Sequence, residues 1–495
     1  MRQKFSYLFV VLTLLLSYML PTALVQAQES KSEAVSGASQ KTYTDPKELA
    51  DSYDVVVVGS GGGGLAAAIA AKDKGANVAI FEKMPVVGGN TSKSSAGMNA
   101  SETKYQKEAG IEDSNDKFYE ETLKGGKEKN DPELLRFFVD HSAAAIDWLD
   151  SMDIHLSNLT TTGGMSVKRT HRPADGSAVG GYLVEGLYAN VTERKIPTFV
   201  NSNVTEILQE NGAVSGVKVT VEGQEKTIKA KAVVLATGGF GANLDMVAEL
   251  KPELKGFVTT NQEGSQGDGI KMAEALGAQV VDMDQIQIHP SVEQKTSYLI
   301  TEAVRGEGAI LVNQEGKRFY NELDTRDKVS AAIIAQEGKA AYVVFDSALK
   351  DRVKAIAQYE KKGLVVQGET PEALAKEIGV SADNLKATLE AWNKSVEAKE
   401  DKEFGRTTGM DNALSTAPYY AIKIAPGIHH TMGGLKINTN AQVLNKDNQP
   451  IKGLYASGEV TGGVHGANRI GGNAVADIII FGRQAGEQSA EMVKQ

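Results

Sequence analysis

The spacing of apolar and polar residues changes several times along the chain, and each change marks an element. Residues 7–20 are almost continuously apolar, behind a basic start at Arg2 and Lys4. Residues 54–58 form a short apolar run closed by glycines, the pattern of a buried strand, and residues 77–81 form a second that ends at Glu82. Between them, residues 65–75 are Ala-rich and predict a helix. Residues 131–152 carry Leu134, Leu135, Phe138, Ile146 and Leu149, with Trp148 among them, and predict one core-packing helical stretch. From 197 to 231 the pattern alternates, with turn dipeptides at Asn211-Gly212 and Glu222-Gly223, which predicts an antiparallel ribbon. The ribbon leads into a buried strand, Ala232-Val233-Val234-Leu235, and a turn of small residues at Thr237-Gly238-Gly239. Gly267-Asp268-Gly269 opens a further helix. Residues 283–428 change character, with strands followed by charged helices at 371–378 and 384–399. A last strand and turn at 453–459 and a helix at 473–488 close the chain.

These elements predict an α/β fold: a Rossmann-like nucleotide domain built discontinuously from 51–282 and 429–495, with an α+β capping domain inserted at 283–428. At 495 residues the chain exceeds what one core usually supports. Residues 28–50 are polar and Ser/Lys-rich, a linker. Residues 1–27 have the layout of a removable export signal, with Val25-Gln26-Ala27 as its cleavage site; there is no twin-arginine pair, so the Sec route and a periplasmic location are expected. The apolar core is short for a spanning helix, so no stable membrane insertion is expected after cleavage.

The most informative chemistry lies at the first apolar run. Gly59, Gly61 and Gly64 follow the strand and open the helix, and Glu82 ends the next strand about twenty positions on, the arrangement of a dinucleotide-binding βαβ unit. Gly59 permits the tight turn, Gly61 lets backbone approach a pyrophosphate, and Gly64 lets helix and strand pack closely. The helix N-terminus faces the phosphates, and Glu82 can accept from a ribose. Asn90, Thr91, Gly97 and Met98 lie in small, polar loops placed to close on that ligand. Asp268 either joins them or caps the helix behind it.

Composition narrows the chemistry. A formal net charge of -10 argues against nucleic acid and anionic membrane as main partners. The sequence has no cysteine, which excludes disulfides, thiolate metal sites, ordinary iron–sulfur clusters and Cys-x-x-Cys-His haem attachment. No metal site is expected.

Four further stretches occur in a fixed order: Ile300-Thr301-Glu302-Ala303-Val304-Arg305-Gly306-Glu307-Gly308, Asn321-Glu322-Leu323-Asp324-Thr325-Arg326-Asp327, His429-His430-Thr431-Met432-Gly433-Gly434, and Gly466-Ala467-Asn468-Arg469-Ile470-Gly471-Gly472-Asn473. With the βαβ unit, they make residues 51–490 resemble the soluble flavocytochrome c fumarate reductases and the related succinate dehydrogenase/fumarate reductase flavoproteins. The resemblance implies FAD, with Val204, His430, Glu459 and Val475 among its contacts. Membrane-bound members attach FAD through a His in the loop matching 90–100; that loop has no His here, so a non-covalent flavin is implied. Flavocytochrome members carry a haem domain, whereas no haem motif exists here. A separate electron donor, a periplasmic cytochrome c, is therefore implied.

Alkene reduction adds a hydride to one carbon and a proton to the other, and the charge that develops calls for cations around the substrate. By resemblance, Arg469 and His429 hold one carboxylate of fumarate and His289 and Thr301 the other, with Gly97 and Gly472 lining the pocket. Arg326 resembles the proton donor, and Glu302 and Arg305 its relay from solvent. Taken one at a time, these residues also fit surface ion pairs or satisfied core histidines. Methacrylate, acrylate or urocanate as substrate, and a non-catalytic flavin-binding module, remain open on the sequence.

Overall fold

The structure, a computed structural model, describes residues 41–495. The expected export signal and most of the expected linker lie outside the described residues.

An eight-stranded sheet carries the nucleotide-binding half. Its centre is Ser52–Val58, with Val55, Val56 and Val57 fully buried. That strand pairs in parallel with Val78–Phe81 on one side and Gln224–Leu235 on the other. The strand Pro450–Ala456 also joins Gln224–Leu235 in parallel, so the two ends of the sequence share one sheet. The helices Gly62–Asp73 and Asn473–Met492 pack along each other over it. The expected ribbon forms from Ser202–Glu210, Ala213–Val221 and Gln224–Leu235. Both its turns take positive φ at consecutive residues, +52° and +79° at Asn211-Gly212 and +50° and +75° at Glu222-Gly223, as two-residue hairpins favour. The ribbon starts later than its pattern predicts, because Thr198–Phe199 is a separate short strand parallel to Val78–Phe81.

A second sheet of six strands is drawn from Ile286–Glu293, Tyr298–Leu299, Ile310–Val312, Ala341–Asp346, Val366–Gly368 and Tyr419–Thr431. The long strand Tyr419–Thr431 is its spine, pairing antiparallel with Ile286–Glu293, Ala341–Asp346 and Val366–Gly368. The apolar cluster beneath it includes Phe345, Ile333 and Trp392. The Trp392 ring lies 4.6 Å from the guanidinium carbon of both Arg318 and Arg406.

The stretch 131–152 is two helices, Pro132–Asp140 and Ser142–Asp150, rather than one. His141 breaks it at φ −99°, ψ 2°. Its ring stacks on Phe137 and its Nδ1 meets the Phe137 carbonyl at 2.7 Å, while Ser142 Oγ donates to Val139 O at 2.8 Å. Side chains that bond nearby carbonyls compete with the helix ladder, and two adjacent ones suffice here.

Candidate active site

The glycine turn lines a cavity of about 800 Å³, counting the part open to solvent. Gly59, Gly61, Glu82, Asn90, Thr91, Val204, Asp268 and Glu459 all line it. Gly59 has φ +101°, and a Cβ there would lie 2.3 Å from Ala236 O. A Cβ on Gly64 would lie 2.0 Å from Gly59 O, so strand and helix can meet only with glycine at that position. Glu82 Oε2 accepts from Ser60 N–H (3.0 Å) and Ser60 Oγ (2.6 Å), and Oε1 accepts from Met84 N–H (2.8 Å). A carboxylate has about four acceptor directions, which leaves one for a ribose hydroxyl. Thr91 Oγ1 accepts the Gly62 N–H at 3.0 Å, pinning the following loop to the helix start. Asn90 donates to Asn261 Oδ1 at 2.6 Å and accepts the Gln262 N–H at 2.8 Å. Asp268 is the first residue of Asp268–Glu274 and pairs with Lys83 at 2.5 Å, while Gly267 takes the cap position. Glu459 accepts the Thr431 N–H at 3.0 Å, and burial pushes its carboxyl up. This arrangement of a glycine turn, a helix N-terminus and a ribose acceptor fits FAD.

Met98 lies fully buried in Met98–Asn99, paired with His171 of Thr170–Arg172. His171 contacts Thr103 Oγ1 (2.7 Å) and Arg169 O (2.8 Å) through its two ring nitrogens, and burial lowers it to about 4. Both nitrogens are thus engaged within the protein. Gly97 backs onto this strand, where a Cβ would lie 2.5 Å from His171 O. Val475 is buried in the first turns of the closing helix.

Beside this cavity the second sheet and the helices around it bring together residues far apart in sequence. Ile286–Glu293 supplies His289, and Tyr419–Thr431 supplies His429 and His430. The rings of His289 and His429 stand edge to face, 5.1 Å apart. His430 is buried edge-on to His465, 5.4 Å away, and His465 Nε2 meets Asp477 Oδ2 at 2.9 Å. Thr301 caps the short helix Glu302–Gly306, accepting the Ala303 N–H at 3.3 Å. Glu302 and Arg305 sit on that helix, and Arg326 begins Arg326–Ile334. Arg326 Nε donates to Glu302 Oε2 at 3.0 Å, and Gly163 N–H donates to Glu302 Oε1 at 2.9 Å. Arg305 donates through Nη1 to the Glu322 carbonyl; among the described residues it forms no ion pair with Glu302 within 4.0 Å.

The electrostatics follow from crowding cations in a buried pocket. Burial, reinforced by the Arg326 charge, pushes His289 and His429 far below the usual imidazole range. Burial and the Arg326 charge lower Arg469 to about 9, and burial lowers Arg305 to about 10 against the pull of Glu302. Burial alone would raise Glu302, but Arg326 and Arg305 overcome it and hold its carboxyl down. Arg305 Nε and Nη2 and Arg469 Nε are buried without a hydrogen-bond partner among the described residues. Unpaired buried donors on cations are costly, so the pocket is built for an anion.

Gly472 turns the chain into the closing helix with φ +88°. Its neighbour Gly471 faces the Arg326–Glu302 pair, and a Cβ there would lie 2.8 Å from Arg326 Nη2. Sequence reasoning missed Gly471, Thr260 and Gln287. Thr260 Oγ1 meets His429 Nδ1 at 2.7 Å. Gln287 Oε1 accepts from Arg326 Nη1 (3.3 Å) and Arg469 Nη2 (3.1 Å), and its Nε2 donates to Asn468 Oδ1 and Arg469 O. No sequence signal marks Gln287, since a shift of register between Gln287 and Ile288 breaks the strand's alternation before His289.

The chain matches the FAD binding domain family over residues 54–475. It is 54% identical to an NADH:fumarate oxidoreductase of Klebsiella pneumoniae (strain 342), covering 95% of this chain and 51% of that protein. It is 47% identical to a fumarate reductase (cytochrome) of Shewanella frigidimarina, covering 90% of this chain and 78% of that one. The open conformation of a flavocytochrome c3 fumarate reductase superposes with TM-score 0.76 at 41% identity, over 92% of this chain and 83% of the other. The chain thus spans about half the length of the first of these relatives.

Proposed function

The chain belongs to the FAD-binding flavoprotein family of the flavocytochrome c fumarate reductases, oxidoreductases acting on CH–CH bonds, and on that premise we propose that it reduces fumarate to succinate. The observation that carries this reading is the pocket in which Arg326 and Arg469 share one Gln287 oxygen beside two neutral histidines. A dianion with carboxylates at its two ends satisfies that excess of cationic donors, and a neutral ligand does not.

Held by the glycine turn at Gly59 and Gly61 with Glu82, Asn90 and Thr91, bound and reduced FAD would supply the hydride for one alkene carbon. The residues of the chain do the rest. Arg469 and His429 hold one carboxylate, while His289 and Thr301 hold the other, fixing which carbon receives the hydride. Arg326 delivers a proton to the second carbon as negative charge builds there. A guanidinium normally keeps its proton, so this transfer requires immediate refilling. Glu302, bonded to Arg326 Nε at 3.0 Å, is the refilling group, and Arg305 brings the proton towards Glu302 from solvent. Closure of the second sheet over the pocket excludes water from this exchange.

The flavin is held without a covalent bond. Electrons reach it from a donor outside this sequence, for which a periplasmic cytochrome c is the proposed partner, following export by the Sec route. The absence of cysteine from all 495 residues supports an external donor, since the chain has no Cys-x-x-Cys-His attachment for haem. No helix among the described residues is long and apolar enough to cross a membrane.

A substrate screen tests the reading. FAD-loaded protein reduced by viologen is offered fumarate, methacrylate, acrylate and urocanate. Fumarate is expected to give the highest kcat/KM. A preference for another enoate reassigns the substrate, and tight flavin binding with no reoxidation by any of them leaves a flavin-binding module.

A further inference from the structure

Arg172 is a buried cation that the site described above does not use. It is 6% exposed, yet among the described residues no carboxylate lies within 4.0 Å of it. Its hydrogen bonds are long and go to neutral carbonyls: Nε and Nη2 to Ser177 O at 3.4 and 3.3 Å, and Nη2 to Ser95 O at 3.4 Å. Burial lowers its guanidinium, with Glu307, Tyr359 and Asp175 opposing. Arg172 ends the strand Thr170–Arg172, which pairs with Met98–Asn99, and a Cβ on Gly97 would lie 2.8 Å from Arg172 Cγ. It therefore stands directly behind one expected wall of the substrate pocket.

Tyr359 approaches from the second sheet's side. It is 2% exposed and lies on Ile356–Lys361, with its ring edge-on to Tyr298 at 5.9 Å. Its phenol oxygen accepts the Thr301 N–H at 2.9 Å. The phenol's own hydrogen has no acceptor among the described residues. Burial raises this phenol, with the Thr301 N–H bond and the Arg172 charge opposing the rise. The Thr301 end of the pocket otherwise offers His289, which is held neutral. Thus one pocket end has Arg469 as its cation, and the other has none among the residues assigned to it.

We propose that Arg172 and Tyr359 form an anion-receiving step at the Thr301 end, which draws in the second carboxylate of a dicarboxylate and so sets the preference for diacids over monoacids. The assignment rests on the reading of the protein as a dicarboxylate reductase. Arg172 supplies the charge, and Tyr359 supplies an O–H donor fixed to the Thr301 backbone. Both are specificity residues, and neither takes part in hydride or proton transfer.

The test uses FAD-loaded Arg172→Gln, Arg172→Lys and Tyr359→Phe. Each is assayed with reduced viologen against fumarate and acrylate, and titrated with succinate by the change in flavin absorbance. In Arg172→Gln and Tyr359→Phe, the KM for fumarate and the Kd for succinate are expected to rise about tenfold, the loss of one hydrogen bond to a charged group. Acrylate kcat/KM is expected to stay within about twofold, since a monoacid makes no use of this step. Arg172→Lys is expected to recover part of the loss. Equal slowing of fumarate and acrylate by Arg172→Gln at matched FAD content is the mark of a purely structural role, and that result overturns the proposal. Unchanged succinate binding in both Arg172→Gln and Tyr359→Phe also overturns it. If Arg172→Gln does not load FAD, Tyr359→Phe decides alone. Succinate binding needs no turnover, so wild-type protein that binds succinate yet fails to reduce fumarate contradicts the activity rather than this step.

Discussion

Glu302 accepts the Nε–H of Arg326 at 3.0 Å, with both side chains 7% exposed. A carboxylate held so close to a guanidinium, with a second arginine on the same turn, can return a proton to it. Glu302→Gln keeps the shape and loses the charge. Turnover of fumarate is expected to fall by about a hundredfold or more, the scale of general acid–base effects, while FAD content and succinate affinity stay near wild type. Stopped-flow reoxidation by fumarate, alongside succinate titration, measures both.

Gln287 is the neutral spacer between Arg326 and Arg469. Gln287→Glu places a fixed carboxylate where the substrate's charge belongs. The KM for fumarate is expected to rise about tenfold or more, because the two cations are already paired, and thermal stability is expected to fall, because the second carboxylate oxygen meets the Asn468 Oδ1 and Arg469 O acceptors in place of an amide donor. Melting temperature and steady-state kinetics on one preparation separate the two effects.

The neutral histidines impose a pH dependence on stability. His289 and His429 take up a proton in the folded state only far below the usual range, whereas in the unfolded chain they do so near 6.5. The unfolded state then binds more protons as pH falls below that value. Their contribution is fully present above about pH 6.5 and is lost below it, with a slope approaching about 1.4 kcal/mol per pH unit for each. Denaturant titrations from about pH 7.5 to about pH 5.5 are expected to show this loss, and His289→Asn is expected to flatten it.

Stability of the second sheet is expected to depend on Glu322. This fully buried carboxylate accepts from Arg318 Nε (2.7 Å), Arg318 Nη2 (2.8 Å) and Arg406 Nη1 (3.2 Å), beneath the arginines that flank Trp392. Glu322→Ala leaves the buried Arg406 without a carboxylate and Arg318 with Asp401 alone, and is expected to destabilise by about 3–5 kcal/mol, read as a shift in the denaturation midpoint.

The parts of this protein that were legible in sequence are those whose cause is local. The turn at Gly59 and the hairpins at Asn211-Gly212 and Glu222-Gly223 are each set by a few adjacent residues. The strand–helix–strand order around Glu82 is equally local. The break at His141 was not legible, because an apolar stripe at helical spacing does not reveal two side chains bonding the backbone. Gln287 was not legible either: its role exists only because Arg326 and Arg469, distant in sequence, converge on one strand. The Gly163 N–H that fixes Glu302 has no sequence signal, since any residue carries that donor.

The central claim is that Arg326 delivers the proton. It is tested most directly by single-turnover reoxidation of the reduced flavin by fumarate, comparing wild type with Arg326→Ala at equal FAD content. The expected result is prompt reoxidation in wild type and a rate at least about a thousandfold lower in the variant, with succinate still bound. Reoxidation of Arg326→Ala at a near wild-type rate would contradict the account.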